Sequence, residues 1–198
     1  MNVVFDLGNV LLKWDPRLLY TQYFENEEEM EWFLAHVCTN AWNLEQDRGR
    51  SFAEAVKELA REFPDYAEAI SAYDLRWHET LPHAIDGTVA IFEELHSRSV
   101  RLYAITNWNG DKFRETIIRF PFLQKFSDIV VSGDEKLLKP DPAIYELLLA
   151  RNGLVAETCL FIDDSLDNVR GAESVGMRAH HFNSPAALIK ILNDLRIL

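Results

Sequence analysis

The sequence predicts an α/β fold: a parallel sheet with helices on both faces, interrupted after its first strand by an inserted all-helical segment. Three observations carry this. Short apolar runs alternate with helical patterns from about Gly87 onward. Four apolar runs end in polar residues: Val3-Val4-Phe5 in Asp6, Leu102-Tyr103-Ala104-Ile105 in Thr106-Asn107, Ile129-Val130-Val131 in Ser132, and Leu160-Phe161-Ile162 in Asp163-Asp164. Residues 14 to 84, by contrast, hold amphipathic helical stretches and no credible strand. Repeated βαβ units imply a parallel sheet covered on both faces. One crossover needs only one helix, so about 70 helical residues between the first two strands read as an insertion.

The elements follow in order. The first strand ends at Asp6. Within the insert, helical stretches fall near 16–25, 27–37, 39–47, 51–63 and 65–80, with Glu25 to Glu31 as a solvated, acidic helix start. Trp32, Phe33, Val37, Phe52, Val56, Leu59, Phe63, Tyr66, Ile70, Tyr73 and Trp77 are expected to form a small core of its own, joined by Trp42. Hinges are expected near Lys13–Asp15 and Leu81–Asp86, beside Pro16 and Pro82. Asp86-Gly87 precedes a helix carrying Val89, Ile91, Phe92 and Leu95, and a strand covers 100 to 106. Asp111 is expected to cap a helix whose Phe113, Ile117 and Phe120 recur at helical spacing. After a strand at 128 to 132, Asp141-Pro142 starts a helix with Pro at its first position and Ile144, Leu147 and Leu148 on one side. Gly153 closes it. A strand at 159 to 163, a helix at 165 to 175, a short strand near 178 to 182 and a helix from Ser184 complete the series.

The 198 residues suffice for one domain, or a domain with an insertion, that buries roughly 70% of its unfolded surface without a staple. A formal net charge of -12 with no basic stripe argues against nucleic acid or an anionic membrane as partner. It leaves room for a small anionic substrate, since local charge can oppose the global sign. Cys38 and Cys159 form no metal spacing or disulfide framework, and Cys159 reads as a buried small residue. Met1 to Asp6 lacks a basic leader region, and no run approaches the ~18 apolar residues of a membrane span. The expected setting is the reducing cytoplasm, and the expected assembly a monomer or homodimer.

In open parallel sheets, ligands bind outside the carboxyl ends of the strands. Asp6, Thr106, Asp163 and Asp164 would then share one pocket. Asp6 precedes a Gly-containing turn, which exposes a carboxylate beside free N–H groups. Such a group can attack phosphorus or carbon, bind a hard cation, or simply cap the turn. Thr106-Asn107 offers a hydroxyl and an amide to a phosphoryl oxygen, or a cap to the next helix. Lys139, in Leu138-Lys139-Pro140-Asp141-Pro142, is presented just before a helix start, where its charge can offset a nucleophilic carboxylate. The adjacent Asp163 and Asp164 repel unless a cation or lysine compensates, although one of them can cap the helix that begins at Ser165. Trp14 and Trp108 sit just after two of these strand ends and are expected as pocket walls. Asn43, Gln46, Asp47, Arg48 and Gly49 form a polar turn, read either as solvated loop or as substrate-reading element.

These residues, in this order, resemble the four motifs of the haloacid dehalogenase superfamily: Asp6-Leu7-Gly8-Asn9-Val10, Ile105-Thr106-Asn107, Leu138-Lys139-Pro140-Asp141-Pro142, and Phe161-Ile162-Asp163-Asp164-Ser165. The resemblance implies a Rossmann-like core from residues 1–13 and 85–198 and a helical cap from 14–84, placed as in subclass I members. It implies that Asp6 is a nucleophile forming an aspartyl-phosphate, and that Thr106 and the Asn107 N–H hold the phosphoryl group while Lys139 balances charge. Mg2+ would bind Asp6, the Gly8 carbonyl and Asp164, with Asp163 near it. Gly8, Asn9, Trp14, Asp47, Arg48 and Trp108 are the expected substrate contacts. The implied reaction is hydrolysis of a small phosphorylated metabolite such as a sugar phosphate.

One departure matters. Most phosphatases of this family carry an acid–base Asp two residues after the nucleophile, where this chain has Gly8. A group of bacterial sugar-phosphate phosphatases shares the Asp-Leu-Gly-Asn-Val pattern. Glu45, Asp47, His36, His78 and His83 are the candidate substitutes. Metal-free 2-haloacid dehalogenases also lack that Asp, but their fourth motif typically carries no acid pair, and they need an arginine for the substrate carboxylate. Arg17, Arg48 and Arg50 are available for that. A third reading is a phospho-ligand binding protein of low activity.

Overall fold

The computed structural model describes residues 1–198. Five strands, β1 (Asn2–Phe5), β2 (Leu102–Thr106), β3 (Asp128–Val131), β4 (Cys159–Asp163) and β5 (Arg178–His181), form one wholly parallel sheet in the order β3-β2-β1-β4-β5. Such an order places β1 at the centre, with the chain winding first to one side and then to the other. The switch point therefore lies at the carboxyl end of β1, where α/β sheets form their ligand crevice.

Period-two alternation divides β1, β2 and β4 between two cores. Val3, Phe5, Leu102, Ala104, Leu160 and Ile162 face the larger apolar cluster, which includes α6 (Asp86–Ser97) and the carboxyl-terminal helix. Val4, Tyr103, Ile105, Val130 and Phe161 face the other, with Ile144, Tyr145 and Leu148. Burial on both faces explains why these strands read as continuous apolar runs.

Between β1 and α6 lie α1 (Arg17–Tyr20), α2 (Glu27–His36), α3 (Asn40–Asp47), α4 (Phe52–Glu62) and α5 (Ala67–Leu75). No strand interrupts them; residues 8, 12 and 84 form only isolated bridges. The flanking segments run side by side, with Lys13 N–H donating to the His83 carbonyl (3.0 Å), Ile85 N–H to Leu11 (2.8 Å) and Asp15 N–H to Thr80 (2.9 Å). The remaining helices are α7 (Gly110–Arg119), α8 (Ser132–Glu135), α9 (Pro142–Asn152), α10 (Leu166–Ser174) and α11 (Pro185–Asp194). No helix is long and apolar enough to cross a membrane.

Several expectations need correction. The stretch at 16–25 yields only the four-residue α1, and 65–80 divides into α5 and a 3₁₀ turn at Trp77–Thr80. Pro64 separates α4 from α5, as a residue lacking an N–H must. The insert has no core of its own: Phe33, Phe52, Ile70, Tyr73 and Trp77 belong to the same apolar cluster as Phe5, Phe92 and Trp108. Trp32 is 43% exposed and stacks on His36 rather than entering that cluster. The cap of α7 is Asn109, whose Oδ1 accepts from Asp111 N–H (3.0 Å) and Lys112 N–H (3.3 Å); Asp111 stands in the first turn instead.

Candidate active site

Asp6 directly follows β1. Its N–H donates to Ile162 O of β4 at 2.8 Å, and Phe5 pairs with Ala104 and Ile162 on either side. Continuing that register by one residue sets Asp6 level with Asp163, so sheet pairing alone brings together acids from the two ends of the chain. Ligand oxygens of Asp6, Asp163 and Asp164 lie within 4.8 Å of one another.

Lys139 is buried among them. Its Nζ stands 2.8 Å from Asp6 Oδ1 and 2.7 Å from Asp163 Oδ2. Burial pulls this ammonium down, but Asp163 and Asp6 outweigh it and hold it above its ordinary value. The contact with Asp163 is a hydrogen bond. The contact with Asp6 Oδ1 has ion-pair distance without hydrogen-bond alignment, so that buried oxygen lacks a directed donor. Burial drives the Asp6 carboxyl upward, with Asp163 and Asp164 adding to the shift and Lys139 opposing it. Desolvation and Asp163 also push Asp164 up.

The two oxygens of Asp163 are already occupied. Oδ1 accepts from Ser165 N–H (2.8 Å) and Asn168 Nδ2 (3.0 Å), while Oδ2 accepts from Lys139 Nζ (2.7 Å) and Asn168 Nδ2 (3.1 Å). Asp164 is the exposed member of the pair and lines the cavity. Three carboxylates against one ammonium leave two negative charges in excess, and all the free donors are hard oxygens. That donor set fits a divalent cation of the magnesium class.

The cavity above Asp6 has a volume of about 370 Å³. Thr106 and Lys139 line its sheet side, and Trp14, Trp77 and Trp108 are among its walls. Gly8 and Asn9 also line it. Asn9 adopts φ 53, a left-handed conformation that Asn tolerates better than most residues, and its Oδ1 accepts from Trp14 N–H at 3.2 Å. Its side chain thus shapes the turn that presents Trp14. The Asn107 amide likewise meets protein, bonding the Lys139 backbone, so it is not free for a phosphoryl oxygen.

The supposed polar turn at 43–49 is instead largely the end of α3, and helical geometry sorts its residues. Asn40, Asn43, Leu44 and Asp47 recur at three- and four-residue spacing and line the cavity. Arg48 caps the helix on the far side, with its side chain 54% exposed and 3.9 Å from Glu45. It does not line the cavity, and that expectation is corrected. Gln46 is also turned away, bonding the Trp42 carbonyl and Arg50. Of the five candidate substitutes for a proton-transfer group, only Asp47 borders the cavity; Glu45, His36, His78 and His83 are not among its lining residues.

The family model described as "Haloacid dehalogenase-like hydrolase" matches residues 3–181. The chain belongs to that family. Among proteins similar to this haloacid dehalogenase-like hydrolase, the sesquiterpene phosphatase astK of Aspergillus oryzae is 30% identical, covering 97% of this chain and 94% of that protein. The phosphorylated carbohydrates phosphatase of Thermotoga maritima is 24% identical, covering 95% and 89%. Relatives differ in length: the chain spans 36% of the drimenol cyclase drtB of Aspergillus calidoustus. Among solved structures, the haloacid dehalogenase family enzyme bt-2542 of Bacteroides thetaiotaomicron, in complex with magnesium and inorganic phosphate, superimposes with a TM-score of 0.68. It is 22% identical over 92% of this chain and 93% of that one, a likeness of fold.

Some contributors to the cavity escape a linear reading of the hydrolase sequence. Asn40 and Asn43 form, with Asp47, a polar helical stripe that resembles a solvent face. Trp77 reads as core, yet at 4% exposure it belongs both to the apolar cluster and to the cavity wall. Asn43 and Asp47 belong to the candidate substrate-reading element, and their regular spacing with Asn40 on one side of α3 is the signal that finds Asn40.

Proposed function

We propose that this hydrolase is a magnesium-dependent phosphatase of a small phosphorylated metabolite, with a sugar phosphate as its substrate class, acting through an aspartyl-phosphate on Asp6. The observation that carries this reading is Asp6 at the cavity floor, 2.8 Å from a buried lysine and beside two further carboxylates. In it, residues 14–84 act as the cap over the core of residues 1–13 and 85–198.

Asp6 attacks phosphorus, and the Thr106 hydroxyl, with the N–H of Asn107, holds phosphoryl oxygens. Lys139 offsets the charge that collects between nucleophile and phosphoryl group. Asp163 and Asn107 fix Lys139 in place. Asp6, the Gly8 carbonyl and Asp164 would hold magnesium, which when bound supplies charge neutralisation for the phosphoryl oxygens. Trp14, Trp77 and Trp108 together with the Asn40 amide suit a polyhydroxylated ring, and the carbohydrate phosphatase named above supports that class. The same aromatic walls, with Leu44, also suit an apolar leaving group, the class named for the Aspergillus oryzae relative.

The dehalogenase reading is weaker. None of Arg17, Arg48 and Arg50 lines the main cavity, so a carboxylate substrate would find Lys139 as its only cation, already paired with two acids. The test is phosphate release from a panel of sugar phosphates, nucleotides and a prenyl phosphate. Release should require magnesium and vanish in Asp6→Asn. Equal turnover in EDTA, or metal-independent chloride release from 2-chloropropionate, would overturn the reading. Tight binding of phosphate esters without turnover would identify a binding protein instead.

A further inference from the structure

Hydrolysis of a phosphate monoester needs two proton movements that Asp6 cannot perform. The leaving oxygen must gain a proton, and the attacking water must lose one. The titratable residues lining the cavity are Asp6, Asp47, Lys139 and Asp164. Lys139 is committed to Asp6 and Asp163, and Asp164 stands in the acidic cluster on the sheet side. Position 8 carries no side chain. Asp47 is what remains, and it comes from the insert, lining the same cavity as Asp6, Thr106 and Lys139.

Asp47 is held as a reacting group has to be held. It is only 6% exposed, in the last turn of α3. Its Oδ2 accepts from Asn43 Nδ2 at 3.0 Å, and Asn43 Oδ1 accepts from the Tyr73 hydroxyl at 3.0 Å. Its carbonyl accepts from Ser132 Oγ at 2.6 Å. Asn109, three residues after Thr106, donates to the carbonyls of Gln46 (3.1 Å) and Arg50 (3.3 Å). The end of α3 is therefore fastened to the loop that follows Thr106.

We propose that Asp47 is the acid–base residue of this site, protonating the leaving oxygen and then accepting a proton from the attacking water. The proposal rests on the phosphatase reading. In the first step a carboxylate oxygen of Asp6 bonds to phosphorus while the ester P–O bond breaks. That bond's electron pair stays on the leaving oxygen, which takes the Asp47 proton and departs as an alcohol. In the second, water bonds to phosphorus and gives a proton to the Asp47 carboxylate. The P–O bond to Asp6 breaks, restoring the Asp6 carboxylate and releasing inorganic phosphate.

The electrostatics agree with this role. Burial raises the Asp47 carboxyl to about 7, with the Asn109 backbone N–H opposing the shift. A group poised near neutrality serves both as acid and as base. The titratable groups around it are Tyr73 of α5 and, across the cavity, Asp6, Lys139 and Asp164. The lysines nearest the end of α3 are otherwise engaged, Lys136 with the Gly49 carbonyl and Lys112 with Asp74.

The experiment compares kcat/KM for a sugar phosphate, whose alcohol must be protonated, with an aryl phosphate, whose phenolate departs unaided. Asp47→Asn should lower kcat/KM by ~10²–10⁴-fold on the sugar phosphate and by less than about tenfold on the aryl ester. The fall of sugar-phosphate kcat/KM above neutral pH should disappear in the variant. A Cβ at Gly8 meets nothing within 4 Å, so a side chain can start there, and Gly8→Asp should restore sugar-phosphate turnover when combined with Asp47→Asn. An equal loss on both esters, or no loss on either, overturns the assignment of Asp47. No phosphate release from either ester by the unmodified protein overturns the phosphatase reading itself.

Discussion

The Asn107 side chain grips the Lys139 backbone from both sides, its Oδ1 accepting the Lys139 N–H at 2.8 Å and its Nδ2 donating to the Lys139 carbonyl at 3.1 Å. The strand end that carries Thr106 thereby sets the position of the ammonium between Asp6 and Asp163. Asn107→Ala would leave two backbone groups without partners, at a cost of about 1–3 kcal/mol each when water cannot reach them. Denaturant titration should register the loss. Because Lys139 would drift, kcat should fall by roughly 10- to 100-fold, more than KM rises. An unchanged kcat would mean that another contact fixes the lysine.

Removing Lys139 itself should be more damaging to the fold. Its side chain is 1% exposed and separates two buried carboxylates. Lys139→Met leaves those acids facing each other without compensation, and breaking a buried ion pair in this way costs about 3–5 kcal/mol. Asp6→Asn added to Lys139→Met should recover part of the loss, because it removes one of the repelling charges. A double variant no more stable than Lys139→Met alone would show that packing rather than charge makes the lysine necessary.

Asp47 gives stability a pH dependence that can be isolated. Folding raises its carboxyl from an ordinary 3.8 to about 7, because burial disfavours the charged form. The folded state then binds the proton more tightly than the unfolded chain. Asp47's contribution is therefore complete below about pH 4 and is lost as pH rises through about 7. Asp47→Asn keeps an oxygen to accept from Asn43 but cannot ionise. Its stability relative to the unmodified protein should rise between pH 5 and pH 9, by up to about 3 kcal/mol. Urea titrations at the two pH values measure it, and a difference that stays flat would show that Asp47 is solvated.

Much of this architecture was legible because buried parallel strands announce themselves. Val3 to Phe5 and Leu160 to Ile162 are fully or almost fully buried, and only a doubly covered sheet demands such runs. Asp6, Thr106, Lys139, Asp163 and Asp164 were visible as polar residues where apolar runs end or a helix begins. The insert was harder. Asn43, Gln46, Asp47, Arg48 and Gly49 suggest a polar turn, yet the helical stretch expected at 39–47 is borne out as α3, which continues to Asp47 and leaves Arg48 largely exposed. Asn109 and Asp111 are equally good capping types, so residue type alone does not choose Asn109 as the cap of α7. Contacts such as that of Asn107 with Lys139 join positions 32 residues apart and leave no local trace.

Gly49 makes the fastening of α3 to the core testable from outside the cavity. It adopts φ +100, which favours glycine, and a Cβ there would lie 2.5 Å from the Gly133 carbonyl oxygen and 2.0 Å from Lys136 Nζ. The lysine end can swing aside, but it now bonds the carbonyls of Gly49 (3.2 Å) and Gly133 (2.9 Å), and the backbone oxygen cannot yield as easily. Gly49→Ala should therefore push the end of α3 away from α8, straining the 2.6 Å bond from Ser132 to the Asp47 carbonyl. Faster amide exchange in α3, with β1 and β4 still protected, is the expected signature of such local release. If positioning of Asp47 is what this junction provides, turnover of a sugar phosphate should fall more than turnover of an aryl phosphate. Uniform loss of protection across the sheet would instead show that the junction holds the whole fold together.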